Sequence, residues 1–192
     1  AIVYGWQVLL YMLFGGLLTL FYPISARYGL SEIVIGLIYG PLMITGGYFA
    51  LTSSFNSSVL LLSFAIFFAT LTLLHADNIM DWEFDIKEGK KTLAIMSGNK
   101  QNAIGLLSFM MIMAYSIVVI GILIGKLELN TLYVFLTLPI MVKLIKSMKE
   151  YIEIKDVQFK PRWYWGFFEN WKAIQENKID FYTKKYISLY RR

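Results

Sequence analysis

The sequence predicts an all-α fold, a polytopic bundle of transmembrane helices, and three observations lead there. The 192 residues are 57% hydrophobic and only 16% charged, with a mean hydropathy of +0.57, which is too apolar for an ordinary soluble domain. Five apolar windows reach or approach the roughly 20 helical residues that a bilayer core requires. The windows are rich in Leu, Ile, Phe, Met and Gly and lack the alternation of a membrane barrel strand, so helices are the way to satisfy their backbone in lipid.

The first window, about residues 2 to 21, begins "AIVYGWQVLL", with no initiator Met, no charged leader and no small-residue cleavage site. It reads as a span and not as a signal peptide, and the chain reads as a piece of a longer one. The second, about 33 to 51, contains "YGPLMITGG", where glycines let helices approach closely and Pro41 is placed to kink the span. The third, about 58 to 75, ends at His75, the only histidine, for which a structural hydrogen bond near the interface is the first expectation. The fourth and fifth fall at about 103 to 125 and 131 to 147. Residues 1–147 thus form the bundle, with a polar loop at 75–102, and 148–192 form a basic, aromatic tail segment.

The connections alternate between two sides, and every one of the 18 Lys and Arg except Lys126 falls on the same side. The positive-inside rule makes that side cytoplasmic, in an inner or plasma membrane. Twelve of the basic residues lie between Lys143 and Arg192, against six acidic ones, around "KPRWYWGFFENWKAI". Trp, Tyr and Phe mixed with lysines suit the headgroup layer of an anionic leaflet, as they do a solvated tail. Because the membrane pattern already accounts for the charge, no nucleic-acid partner is expected.

The chain has no cysteine, so disulfides and thiolate metal sites are excluded and any metal must be held by oxygen. The candidate is "HADNIMDWEFDIKEGKKTLAIMSG", residues 75–98. Asp77, Asp81 and Asp85 stand at i, i+4 and i+8, one stripe on a helix. Like charges at that spacing repel, and nearby lipid raises their desolvation cost. A hard divalent cation relieves both, and Mg²⁺ favours a few carboxylates together with water and phosphate over a complete protein cage. Lys87, Lys90 and Lys91 are positioned to neutralise phosphate oxygens. Asn78, beside the stripe, suits metal-bound water or phosphate, or a cap. A solvated loop with local ion pairs is the competing reading. A calcium loop over Asp77–Glu88 fails because Ile79 sits at a ligand position and Trp82 where the turn glycine belongs. "GKKT" (Gly89–Thr92) fails as a phosphate loop because the upstream glycine and strand are missing.

At this point the residues resemble a known family. The acidic segment is similar to the second aspartate-rich motif of the UbiA superfamily of intramembrane aromatic prenyltransferases, closest to the 1,4-dihydroxy-2-naphthoate polyprenyltransferases of menaquinone synthesis. Asn78, Asp81, Asp85, Gly89, Lys90, Thr92, Leu93 and Ala94 match the pattern N-N-x-R-D-x-x-x-D-x-x-x-G-K-x-T-L-A. "FYPISARYGLSEIVIGLIYGPLMITGGYFA" resembles the family's segment between its fourth and fifth helices, through Tyr22, Pro23, Arg27, Gly29, Leu30 and Glu32. "RWYWGFFENWKAI" is similar to a stretch before the last helix in some members. Asp77 stands where the pattern has Asn, which makes the stripe more acidic, and Met80 where it has Arg.

The resemblance implies a nine-helix fold, of which the five spans would be helices four to eight. The family's first aspartate-rich motif does not occur in these residues, so the chain reads as the C-terminal two-thirds or so of an enzyme and inactive by itself. The implied reaction is Mg²⁺-dependent transfer of a polyprenyl group from its diphosphate to an aromatic acceptor at the cytoplasmic face, with dihydroxynaphthoate ahead of hydroxybenzoate, homogentisate or a tetrapyrrole. Asp81 and Asp85 are the implied catalytic metal ligands, with Asp77 assisting. Asn78, Lys90, Lys91, Arg27 and Tyr22 would contact diphosphate, although Tyr22 fits an interfacial belt equally well. The rivals are a cation transporter or channel subunit, whose ligands belong near mid-bilayer, and a non-catalytic scaffold indifferent to Asp81→Asn and Asp85→Asn.

Overall fold

The computed structural model describes residues 5–153. The chain divides into two units, Ala1–Met148 and Lys149–Arg192; the first carries the spans and the acidic segment, while most of the basic aromatic segment lies outside the described residues. All regular structure in the described residues is helical, and five helical stretches are long and apolar enough to cross a bilayer.

Helix α1 (Trp6–Arg27) continues six residues past the predicted window and runs through Pro23, which a spanning helix tolerates where its surroundings satisfy the freed backbone group. The second span, Ser31–Thr52, is assembled from α2 (Ser31–Leu37), a π-helical turn at Ile38–Leu42 and α3 (Met43–Thr52). Pro41 lies inside that turn. The expected kink is therefore a π-bulge: proline removes one backbone donor, and widening the turn accommodates the ring. The Thr45 hydroxyl donates to the Pro41 carbonyl, returning a partner to the disturbed ladder.

Helices α4 (Ser57–Met80) and α7 (Lys100–Leu123) form the central pair. Each starts at an asparagine cap: the Asn56 side chain accepts from the Ser58 N–H at 2.8 Å, and that of Asn99 from the Asn102 N–H at 2.8 Å. Their seam buries Leu71, His75, Ile79, Ala103, Ile104 and Leu107. The second span packs closely on α4, because a Cβ at Gly40 would stand 2.7 Å from the Ser63 carbonyl oxygen and 2.8 Å from the Phe67 Cβ. Only glycine lets two backbones meet there. Side-chain hydroxyls inside the bundle return to their own helix, Ser63 to Leu60 at 2.6 Å and Thr72 to Phe68 at 2.8 Å, so no apolar neighbour has to satisfy them.

Beyond α4 come α5 (Trp82–Lys87) and α6 (Leu93–Met96). The fifth span departs from the expected single helix. It opens as a 3₁₀ segment, Leu129–Thr137, and becomes α-helical only at α8 (Leu138–Glu153). Pro139 in the first turn of α8 has no N–H to extend an α ladder backwards, and the Leu138 N–H bonds instead to Phe135, three residues back. Large apolar side chains such as Met12, Leu13 and Leu20 of α1 face outwards, as suits an integral membrane protein whose solvent is lipid.

Candidate functional site

The acidic segment is built by the end of one spanning helix. Helix α4 runs on past His75 to Met80, so Asp77 belongs to the span's last turn and not to a loop, as expected at first. Asp81 caps α4 with a bridge-region backbone, φ −84° and ψ 6°, and α5 starts at the next residue. The bend leaves the register intact: the Asp81 N–H donates to the Asp77 carbonyl and the Asp85 N–H to the Asp81 carbonyl, both at 2.9 Å. The three aspartates therefore keep their common stripe across two helices.

They differ in environment. Asp77 and Asp81 are exposed, whereas Asp85 is buried and its Oδ1 accepts from Lys90 Nζ at 3.1 Å. Protein packed around Asp81, and then the Asp85 carboxylate, raise the Asp81 carboxyl above the ordinary range, against the pull of Lys90. Glu83 goes the other way: its hydrogen bond to Lys100 at 2.8 Å, followed by the charge of that lysine, holds it low.

The Asp85–Lys90 contact depends on a glycine. Gly89 has φ +67°, its N–H bonds to the Ile86 carbonyl at 3.1 Å, and the Lys90 N–H bonds to the Asp85 carbonyl at 2.9 Å. This is a Schellman ending, and it folds Lys90 back over α5, where Nζ also lies 4.8 Å from the centre of the Phe84 ring. The acid, glycine and lysine spacing of the motif is thus the spacing of a helix stop that returns a cation to its own carboxylate. Thr92 then caps α6, accepting from the Ile95 N–H at 3.3 Å, and Lys91 is left exposed. The turn after α1 arrives at the same place: a Cβ on Gly29 would lie 2.3 Å from Met96 Sδ and 3.7 Å from the Lys91 carbonyl carbon. Arg27, in the last turn of α1, is thereby brought to the end of the bundle that holds Lys90 and Lys91.

Tyr22 is placed differently. With Thr19, Ile35, Tyr39, Leu73 and Leu74 it lines an apolar groove of about 590 Å³ between α1, α2 and α4. Leu73 stands four residues before Asp77, so the α4 wall of the groove leads to the acidic stripe.

A polar cluster behind the stripe was not foreseen. Glu32 of α2, 2% exposed, accepts a hydrogen bond from Asn78 Nδ2 of α4. His75, fully buried, bonds through Nε2 to the Ala103 carbonyl at 3.0 Å; a carbonyl only accepts, so Nε2 is the donor. Glu32 matched the family segment, but its role required knowing that α2 lies against α4. An acid in "SEIVIGL" with no basic neighbour on its own helix was the available signal.

Among the described residues no three His, Asp or Glu side chains converge on one point as a metal cage. Asp81, whose carboxyl is raised by partial burial and then by Asp85, and Asp85 itself, beside exposed lysines, do fit a hard cation that takes its remaining ligands from water and phosphate.

Comparison with known proteins points to one family. The model of the UbiA prenyltransferase family matches residues 1–170. The chain is similar to the 2-carboxy-1,4-naphthoquinone phytyltransferase of a Synechocystis species, 28% identical over 123 residues, which are 64% of this chain and 40% of the relative. It is also similar to the 1,4-dihydroxy-2-naphthoate octaprenyltransferase of Bacillus subtilis, 32% identical over 117 residues, 61% of this chain and 37% of the relative. The chain thus aligns with about two-fifths of the length of these curated relatives. No solved structure matches it significantly.

Proposed function

The chain belongs to the UbiA prenyltransferase family, and from that premise we propose that the whole protein transfers a polyprenyl group from its diphosphate to an aromatic acceptor, with 1,4-dihydroxy-2-naphthoate as the first choice. The observation that carries the reading is the Asp81–Asp85 pair with Lys90 folded back to Asp85 at 3.1 Å: anionic oxygens and an exposed cation near the end of an apolar groove. The two relatives are a 2-carboxy-1,4-naphthoquinone phytyltransferase and a 1,4-dihydroxy-2-naphthoate octaprenyltransferase, which favours that acceptor class.

The hard step is breaking the bond between the allylic carbon and diphosphate, and catalysis rests on stabilising the departing charge. Asp81 and Asp85 would hold Mg²⁺, with Asp77 beside them; when bound, the ion supplies Lewis-acid stabilisation of the diphosphate. Lys90 exchanges its contact with Asp85 for phosphate oxygen as substrate arrives, and Lys91 and Arg27 add charge from the same end of the bundle. Asn78 completes the polar wall. The groove along α1, α2 and α4 takes the isoprenoid chain, with Tyr22 near its polar end, and the apolar bundle keeps water from the allylic carbon. The positive-inside count supports a cytoplasmic face for this chemistry.

The test uses membranes carrying the full-length parent chain and follows transfer of a labelled prenyl diphosphate to dihydroxynaphthoate. Product that requires Mg²⁺ and disappears in Asp81→Asn and Asp85→Asn is the expected result. Folded protein that prenylates none of several aromatic acceptors overturns the reading.

A further inference from the structure

The polar cluster behind the aspartates does more than join helices. Glu32 is 2% exposed and His75 is fully buried. Glu32 Oε2 and His75 Nδ1 face one another at 3.7 Å, beyond hydrogen-bond distance, and both are enclosed without a hydrogen-bond partner among the described residues. An enclosed carboxyl group with an unpartnered oxygen in a membrane bundle calls for a reason beyond packing. Among the described residues, its other oxygen accepts a hydrogen bond from Asn78 Nδ2, 46 residues away in sequence.

That bond decides which way Asn78 faces. Glu32 Oε1 is the acceptor here, and an asparagine amide has a donating edge and an accepting edge. With Nδ2 held by Glu32, the planar amide carries Oδ1 on its opposite edge. Asn78 stands three residues before Asp81 and seven before Asp85, so it shares their helix face. A carbonyl oxygen there is a hard ligand for a divalent cation or its bound water, while an N–H there would repel one. We propose that Glu32 is a positioning residue: its buried carboxylate locks the Asn78 amide with the oxygen turned to the acidic stripe and so sets the affinity of the stripe for a divalent cation. His75, anchored to Ala103 of α7, bounds the pocket in which Glu32 sits. The inference rests on the metal-dependent reading of the stripe given above.

The test is a cation titration on the full-length protein in nanodiscs. Mn²⁺ in the presence of inorganic pyrophosphate is the probe, read by electron paramagnetic resonance, with Asp81→Asn as the control. Removing a partner that orients a metal-site group weakens metal affinity roughly 10–100-fold, and Asn78→Ala and Glu32→Ala are each expected in that range. If Glu32 acts through Asn78, the double variant binds no more weakly than Asn78→Ala alone. Glu32→Gln retains an acceptor for Nδ2 and can offer its amide to His75 Nδ1, so it stays close to wild type. Should Glu32→Ala fail to fold, Glu32→Met fills the volume without accepting the amide, and the same comparison is made with it. Unchanged Mn²⁺ affinity on loss of Glu32, additive losses in the double variant, or a Glu32→Gln loss as deep as that of Glu32→Ala each overturn the assignment. A wild-type protein that holds no Mn²⁺ overturns the metal-dependent reading itself, and this inference with it.

Discussion

Gly89 offers the sharpest test of how the site is assembled. Its φ of +67° lies in the left-handed region, yet a Cβ built there meets nothing within 4 Å. The penalty for Gly89→Ala is therefore conformational and not steric, about 1–2 kcal/mol for an L-residue in that region. A chain that relaxes to avoid it gives up the Schellman bonds at 3.1 and 2.9 Å and with them the return of Lys90 to Asp85. At about 2–4 °C per kcal/mol for a domain of 150–250 residues, thermal unfolding of the solubilised full-length protein should shift down by several degrees. Asparagine visits this region far more readily than alanine, so Gly89→Asn should recover most of the loss. Mg²⁺-dependent prenyl transfer should fall in the same order, because Lys90 leaves its place in step with the turn. If Gly89→Ala unfolds where wild type does, or if Gly89→Asn costs as much as Gly89→Ala, the Schellman account of the motif is wrong.

Three further outcomes follow from particular contacts. Gly40→Ala should destabilise by about 1–3 kcal/mol through overpacking, since its Cβ would press on Ser63 and Phe67 of α4. Gly47→Ala, with nothing within 4 Å, should be neutral or gain up to about 1 kcal/mol of helix propensity; equal melting shifts would refute the close approach. Asp81→Asn removes repulsion worth a few tenths of a kcal/mol per like-charged pair, so it should melt slightly above wild type in EDTA. Added Mg²⁺ and pyrophosphate should reverse the order, because ligand at 100 times its Kd stabilises only the competent protein, by about 2.7 kcal/mol. Glu83, held low in the folded state by Lys100, stabilises above its unfolded value and loses that contribution as pH falls through its folded one. The pair is largely exposed and worth a few tenths of a kcal/mol. Wild type and Lys100→Ala should differ slightly in melting temperature at neutral pH and converge in acid, and a gap that persists in acid would exclude this pair as its source.

Local regularities made much of the site legible. The i, i+4, i+8 spacing of Asp77, Asp81 and Asp85 survived a helix break at Asp81 because i to i−4 backbone bonds cross it, so a stripe read from helical periodicity remained a stripe. The kink at Pro41 was legible because proline lacks a donor wherever it sits, although its form as a π-turn was not. The 3₁₀ opening of the fifth span was missed because hydropathy registers apolarity and length, not the ladder that apolar residues adopt.

What the sequence by itself determined about this protein is its medium, its helices and the chemistry along one helix edge: apolar length compels backbone self-satisfaction in lipid, and 3.6-residue periodicity puts the aspartates in line. The tertiary structure alone decided which groups in different helices meet. Glu32 reaches Asn78 across 46 residues of chain, and Gly29 closes on Met96, through packing of α2 on α4 and of the α1 turn on the α6 segment. A buried carboxylate and an amide are defined chemically by what stands opposite them, and what stands opposite is set by helix packing, to which local periodicity contributes only the facing stripe.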